Sequence, residues 1–268
     1  MGDAMNRKPI KMVLTDLDAT LLKDDKTLSE YTLNVIQRLR DKDIKFVPAT
    51  ARAHRVLQRL QLLSILPHDS LILLNGGRIM KDEFVIFDQG LNPNQRDHVL
   101  KILCSHFPTE RISVEMNDTM YVNHNIWEVD PYEQNYVLTD FSDLPQAISP
   151  RIIIGLKSLD DYPRLLDCLP DFMYAHNIEG TSLCRVLHRS VSKAGAIQHL
   201  CEMWGFDRSE IVCFGDDLND IEMFEYCDHA VAVENACDEV KQRSTAITKS
   251  NNADGVAYWI EQNILNQA

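Results

Sequence analysis

The chain has 268 residues, 45% hydrophobic and 25% charged, proportions of a folded globular protein that exclude disordered, fibrous and membrane-embedded classes. A formal charge of −13 argues against a nucleic-acid or anionic-membrane surface, because both partners reward basic patches. Seven cysteines without a Cys-x-x-Cys pair read as reduced core thiols, and the absence of a membrane-length apolar stretch or a signal-peptide core makes a cytoplasmic location the expectation.

The apolar, partly β-branched run at 10–15 (IKMVLT) predicts a buried strand, and it ends on the acidic cluster DLDAT at 16–20. Periodicity predicts a helix over 28–40, a strand over 44–49, a helix over 54–64 and a strand over 71–75, stopped by Asn75-Gly76-Gly77. This βαβαβ order implies a parallel sheet with right-handed crossovers. The texture then changes. Strands are expected at 84–87, 112–116 and 120–123, with helices at 93–106 and 132–138; a strand at 151–156, a helix at 160–169 and strands at 172–175 and 182–187 follow. From 192 the earlier rhythm resumes, with a helix to 204, a strand at 211, a second acidic cluster GDDLND at 215–220, a helix at 218–225, a strand at 230–233 and a final helix over 255–265. The expected architecture is α/β: a Rossmann-like parallel-sheet core, residues 1–80 and 188–268, split by an inserted α+β domain at 81–187.

Both acidic clusters directly follow short strand-like runs, so their carboxylates belong at the carboxyl ends of strands, where open α/β sheets bind ligands. Asp16 and Asp18 lie two positions apart and share one side of an extended segment. That spacing suits one aspartate as nucleophile at phosphorus and the other as general acid/base; the same residues equally suit a turn. Asp216, Asp217 and Asp220 supply the oxygen ligands that magnesium prefers, although a helix cap is the stronger reading of Asp217. Thr50, in PATAR, offers a hydroxyl to phosphate oxygens or caps the next helix. Lys193 opens a helix whose dipole disfavours a cation there, which makes a functional role easier to credit, although an exposed lysine is the commonest alternative. Asn219 has an amide for phosphate or for a turn. No His-Glu-x-x-His pair or full glycine fingerprint is present, so zinc hydrolysis and nucleotide-loop binding have little support.

With DLDAT, PATAR, Lys193 and GDDLND in this order, the chain resembles the haloacid dehalogenase superfamily of hydrolases. Its closer similarity is to the Cof-type phosphatase branch, including NNADGVAYWI at 251–260. The resemblance implies a HAD-like core with a substrate-selecting cap at 81–187. It implies Asp16 as nucleophile and metal ligand, Asp18 as general acid/base and metal ligand, and Asp216 and Asp220 on the metal side. Thr50, Lys193 and Asn219 would hold the phosphoryl group, and Mg2+ would be the cofactor. Arg52 is a candidate for substrate anions. Glu115, Asn117, His124, Trp127 and His176 suit substrate contact or structure alike. Ala19 and Ala51 replace glycines usual in the branch, and Glu234 stands where glycine is frequent; a positive φ at either alanine would cost on the order of 1 kcal/mol.

The expected function is magnesium-dependent hydrolysis of a small phosphorylated metabolite, a sugar phosphate or similar, through an aspartyl phosphate. The alternatives are a phosphomutase or phosphotransferase, in which a sugar hydroxyl replaces water, and a phosphate-ligand-binding protein that no longer turns over. Expected partners are a small phosphorylated metabolite, with no nucleic acid and no membrane; oligomeric state is not legible.

Overall fold

The computed structural model describes residues 8–125, 135–178 and 180–266. The described chain forms two compact units. The first comprises the residues to Arg52, Val56–Ile86 and those from Ser192 onward; the second comprises Ala53–Arg55 and the described part of Phe87–Val191.

The first unit is built on a five-stranded parallel sheet. Its strands are β1 (Met12–Thr15), β2 (Lys45–Pro48), β12 (Ile211–Gly215), β13 (His229–Ala232) and β14 (Ala246–Ile247), in the order β14-β13-β12-β1-β2. β1 is completely buried, which explains its unbroken apolar run, since a strand covered on both faces has no polar side to alternate. Its register pairs Thr15 with Phe214 on one side and with Pro48 on the other. The ends of β1, β12 and β2 are therefore level, and the residues just beyond them are neighbours.

Helices α1 (Glu30–Asp41) and α6 (Lys193–Trp204) start where serines satisfy their first amides: Ser29 Oγ accepts from Thr32 N–H and Ser192 Oγ from Gly195 N–H, both at 3.0 Å. Val35, Ile36 and Leu39 of α1 are fully buried. The segment expected as one helix over 54–64 is two, α2 (His54–Arg59) and α3 (Leu62–Ile65), because Gln61 takes a left-handed φ of 56° between them. β3 (Leu71–Leu73) pairs antiparallel with β4 (Arg78–Lys81), in a sheet that ends with β5 (Phe84–Asp88). The Asn75-Gly76-Gly77 turn thus joins β3 to a strand that the sequence pattern did not signal. α7 (Ile221–Tyr226) and α8 (Asp238–Arg243) complete the crossovers, and the last helix is α9 (Gly255–Ile260), extended by a wider turn over Glu261–Leu265.

The second unit is α+β. Its sheet comprises β6 (Arg111–Met116), β7 (Thr119–Val122), β8 (Tyr136–Leu138), β9 (Arg151–Gly155), β10 (Met173–Asn177) and β11 (Leu183–His188), in the order β10-β11-β9-β6-β7-β8. The helix expected over 132–138 is corrected in its described part: Tyr136–Leu138 is a strand, held by parallel pairing to β7, while 132–134 lie outside the described residues. Long-range pairing outweighs local propensity there. α4 (Pro93–His106), with a complete Asn92/Gln95 capping box, and α5 (Tyr162–Cys168) cover one face, burying Val99, Leu103, Ile112, Ile152 and Leu165. Alternate residues point to the other face. Among them Glu115 and Arg151 are buried, and Glu115 Oε2 accepts from Arg55 at 3.0 Å and from Arg151 at 3.4 Å. Asn117 is at the turn of the β6–β7 hairpin with a φ of 49°, and His176 lies 3.2 Å from Arg185. Trp127 lies outside the described residues.

Candidate active site

The level strand ends bring the two acidic clusters together. Asp16 N–H donates to Phe214 O at 2.9 Å, continuing the β1–β12 ladder one residue past the strand. Asp16 is 6% exposed and Asp220 fully buried, and Lys193 Nζ donates to Oδ1 of each at 2.6 Å. These distances are short because the bonds are charge-assisted. The ammonium is raised above its ordinary value: burial works against it, but the two carboxylates outweigh burial. A cation at the first position of α6 thus finds its compensation in the strand ends rather than in its own helix. Burial lifts the Asp16 carboxyl well above the carboxylate range; Lys193 opposes this, and the charges of Asp220 and Asp216 add to it.

Asp220 also organises the second cluster. Its Oδ2 accepts from the backbone N–H groups of Asp216 (3.0 Å) and Asp217 (3.2 Å), while Asp217 caps its own turn through Leu218 N–H at 2.7 Å. Gly215 makes this possible, because a Cβ there would lie 2.6 Å from the Asp220 side chain. Asp216 accepts from the Thr20 hydroxyl, tying GDDLND back to DLDAT. Its carboxyl is pushed up to about 7, first by burial and then by Asp220 and Asp217, with the Thr20 hydroxyl opposing.

Asp18 is held differently. Arg52 forms a two-pronged clamp on it, Nε to Oδ2 and Nη2 to Oδ1, both at 2.6 Å, and Lys26 Nζ adds a third contact at 3.0 Å. Burial alone would raise this carboxyl, but the clamp and Lys26 hold it below the ordinary range. Thr50 is 1% exposed; its Oγ1 accepts from Arg52 N–H at 3.1 Å and its own N–H donates to Ile72 O at 2.8 Å. Asn219 Nδ2 donates to Asn75 Oδ1 at 3.3 Å.

All eight sequence-predicted site residues (Asp16, Asp18, Thr50, Arg52, Lys193, Asp216, Asn219 and Asp220) therefore belong to the first unit. Residues missed by sequence reasoning hold them in place. Asn235 Nδ2 donates to Ala19 O at 2.7 Å, and Asn251 Nδ2 bonds Leu22 O (3.0 Å) and Asp24 (2.9 Å). Asp254 accepts from Ser29 (2.8 Å) and Thr32 (3.1 Å). The signal for the last two was the NNADG segment itself, whose partners only the fold reveals. Ala19 has a φ of 56°, so the alanine occupies a conformation that glycine adopts without cost. Ala51 is not among the positive-φ positions, and Glu234 is exposed.

No group of three or more His, Cys, Asp or Glu side chains among the described residues forms a ready-made cation cage. The donor set nevertheless fits a hard divalent ion: Asp16 and Asp18 follow β1, Asp216 follows the adjacent β12, and the raised carboxyls of Asp16 and Asp216 are crowded anions that such an ion would relieve.

A family model described as haloacid dehalogenase-like hydrolase matches residues 13–260. The chain is 28% identical to the Bacillus subtilis 5-amino-6-(5-phospho-D-ribitylamino)uracil phosphatase YitU, covering 96% of this chain and 98% of that protein. It is 25% identical to the Escherichia coli phosphatase YbjI, of the same named activity, over 97% and 98% of the two chains. The fold is shared with TM0651 from Thermotoga maritima, at a TM-score of 0.82 and 24% identity over 94% of this chain and 97% of that one. A Eubacterium rectale structure is alike in fold, with a TM-score of 0.84 at 20% identity over 94% and 98%. Among the described residues no helix is long and apolar enough to cross a membrane. Members of the superfamily generally use a divalent metal, and on the extent of the match the chain belongs to the haloacid dehalogenase-like hydrolases and is an enzyme of the phosphoric monoester hydrolase type.

Proposed function

We propose that this chain hydrolyses the phosphate ester of a small metabolite through an aspartyl phosphate, with Mg2+ as cofactor. The observation that supports this most is the buried Asp16–Lys193–Asp220 chain at level strand ends, with Asp18 two residues from Asp16. Asp16 attacks phosphorus in line; a bond forms from its Oδ to phosphorus as the bond to the leaving oxygen breaks. Asp18, protonated and freed from Arg52, gives its proton to that oxygen. It then takes a proton from the water that attacks the aspartyl phosphate, which restores Asp16 and releases inorganic phosphate. Lys193 favours the ionised form of the nucleophile and balances the phosphoryl charge, and Thr50 and Asn219 hold the phosphoryl oxygens. Arg52 exchanges Asp18 for a substrate anion, and that exchange leaves Asp18 able to accept a proton. Asp16, Asp18 and Asp216 would hold the magnesium, with Asp220 supporting; when bound, the ion supplies charge neutralisation at the phosphoryl group.

The inserted domain at 81–187 selects the leaving group. The relatives' names put 5-amino-6-(5-phospho-D-ribitylamino)uracil first among esters to try, with sugar phosphates next. The cytoplasm is the proposed location, and the charge of −13 supports a metabolite rather than a nucleic acid or membrane partner. The test is phosphate release from a panel of such esters with magnesium, beside Asp16→Asn and a chelator control. Release that requires magnesium and vanishes in Asp16→Asn supports the reading; no release from any ester by folded protein overturns it.

A further inference from the structure

The turn after β3 is more strained and more connected than the end of a strand requires. Leu74, Asn75 and Gly76 all have positive φ, at 56°, 59° and 95°. A leucine held there is strained, and strain of this kind persists where the surroundings over-determine it, often at functional sites. The surroundings here are three of the segments assigned above to the phosphoryl group. Leu74 N–H donates to Arg52 O and Asn75 N–H to Thr50 O, both at 3.1 Å, so the turn carries the loop that bears Thr50. Gly76 packs so tightly on Ser192 that a Cβ would lie 2.0 Å from its carbonyl oxygen, next to Lys193. The Asn75 side chain reaches the third segment by accepting from Asn219. Asn75 is 4% exposed, and its Nδ2 is buried with no hydrogen-bond partner among the described residues. A buried donor left in that state destabilises the fold by its full desolvation cost.

We infer that Asn75 is a further residue of the phosphoryl pocket: its Oδ1 orients the Asn219 amide, and its Nδ2 donates to an oxygen of the bound phosphoryl group. The identity of that ligand rests on the phosphatase reading, which the inference deepens. A neutral amide suits the place because it adds a donor without altering the charge that Lys193 balances. Aspartate there would keep the acceptor for Asn219, lose the donor and set a negative charge against an anion.

The test uses two variants that tolerate a left-handed backbone. Asn75→Gly removes the side chain without strain, and Asn75→Asp keeps the acceptor alone. In the full-length protein with magnesium, both are expected to lose about ten- to hundredfold in kcat/KM, the worth of one hydrogen bond to a charged acceptor, with melting temperatures close to the parent's. Asn75→Gly combined with Asn219→Ala is expected to lose less than the product of the single effects. Calorimetric titration with inorganic phosphate needs no turnover, and there Asn75→Gly is expected to bind about tenfold more weakly. Kinetics of either variant within twofold of the parent, multiplicative single effects, or unchanged phosphate affinity would overturn the inference. A parent that binds phosphate but cleaves no ester removes the phosphatase reading and leaves the titration to decide the role of Asn75. A parent that binds no phosphate overturns that role.

Discussion

Replacing Lys193 by methionine removes the cation that bridges two carboxylates while keeping most of the side chain's bulk. In the parent the ammonium donates to Asp16 and Asp220 at 2.6 Å each, and Lys193 and Asp220 have side chains that are 0% exposed. Breaking a buried ion pair from one side costs about 3–5 kcal/mol, because the remaining charge stays in a medium that solvates it poorly. For a domain of this size, roughly 2–4 °C accompanies each kcal/mol, so the melting temperature should fall by about 6–20 °C at pH 7. The pH dependence has a definite sign. Burial already lifts Asp16 above the ordinary carboxylate range, and Lys193 is the group that opposes it; in Lys193→Met the carboxyl rises further. A carboxyl raised in the folded state costs nothing below its unfolded value, and its cost grows as pH rises through the folded one. The deficit should thus be small in acid and largest towards neutrality. Thermal unfolding of variant and parent, in chelator and across pH, measures it, and Asp220→Asn in the Lys193→Met background should recover part of the loss. A variant within about 2 °C of the parent at pH 7, or a deficit that grows towards acid, would refute the account of Lys193 as a buried counter-ion.

Arg52→Ala should show the opposite pH trend. Its partner Asp18 is held below the ordinary range, so the contribution is present above the unfolded value and disappears as pH falls through the folded one; with Asp18's side chain 36% exposed, solvent screening limits it to about 1 kcal/mol at neutral pH. Denaturant unfolding at pH 7 and in acid checks this. Ala19→Gly relieves a φ of 56° but loosens the unfolded chain, for a net gain of between about 0 and 1 kcal/mol; a clear loss of stability would contradict the strain assigned to Ala19. Magnesium binding should release a proton below pH 7 and strengthen as pH rises to that point, because Asp216 is pushed up to about 7 and, as a proposed ligand, would bind as the anion. Calorimetry in buffers of different ionisation enthalpy should detect that proton in the parent and find it diminished in Asp216→Asn.

The residues of the proposed site were legible because each stands at a boundary that local sequence marks. DLDAT and GDDLND follow apolar runs too short for helices, and β1 and β12 end within a residue of where those runs stop. Lys193 was legible through its conflict with the helix dipole, a local rule broken where two buried carboxylates supply the compensation. Asn75 was hidden for the converse reason. Asn-Gly-Gly is such a strong turn signal that it explained itself, and its side-chain partner Asn219 lies 144 positions away. β8 was read as helix because its propensity is local, whereas its strand character comes from pairing with β7.

The sequence by itself determined the βα rhythm of the parallel core, its interruption by an insertion, and the inventory of carboxylates, lysine and amide. Those follow from hydrophobic periodicity and from residue types that few other roles explain. Only the tertiary structure decided which groups are paired: that Lys193 bridges Asp16 and Asp220, that Arg52 clamps Asp18, that Ala19 is left-handed, and that the turn at Asn75 ties together the loop of Thr50, the start of α6 and Asn219. Each is a contact between segments far apart in the chain, or a backbone angle imposed by such contacts. Local propensity carries no record of them, because their energies exist only once the strands have set the register.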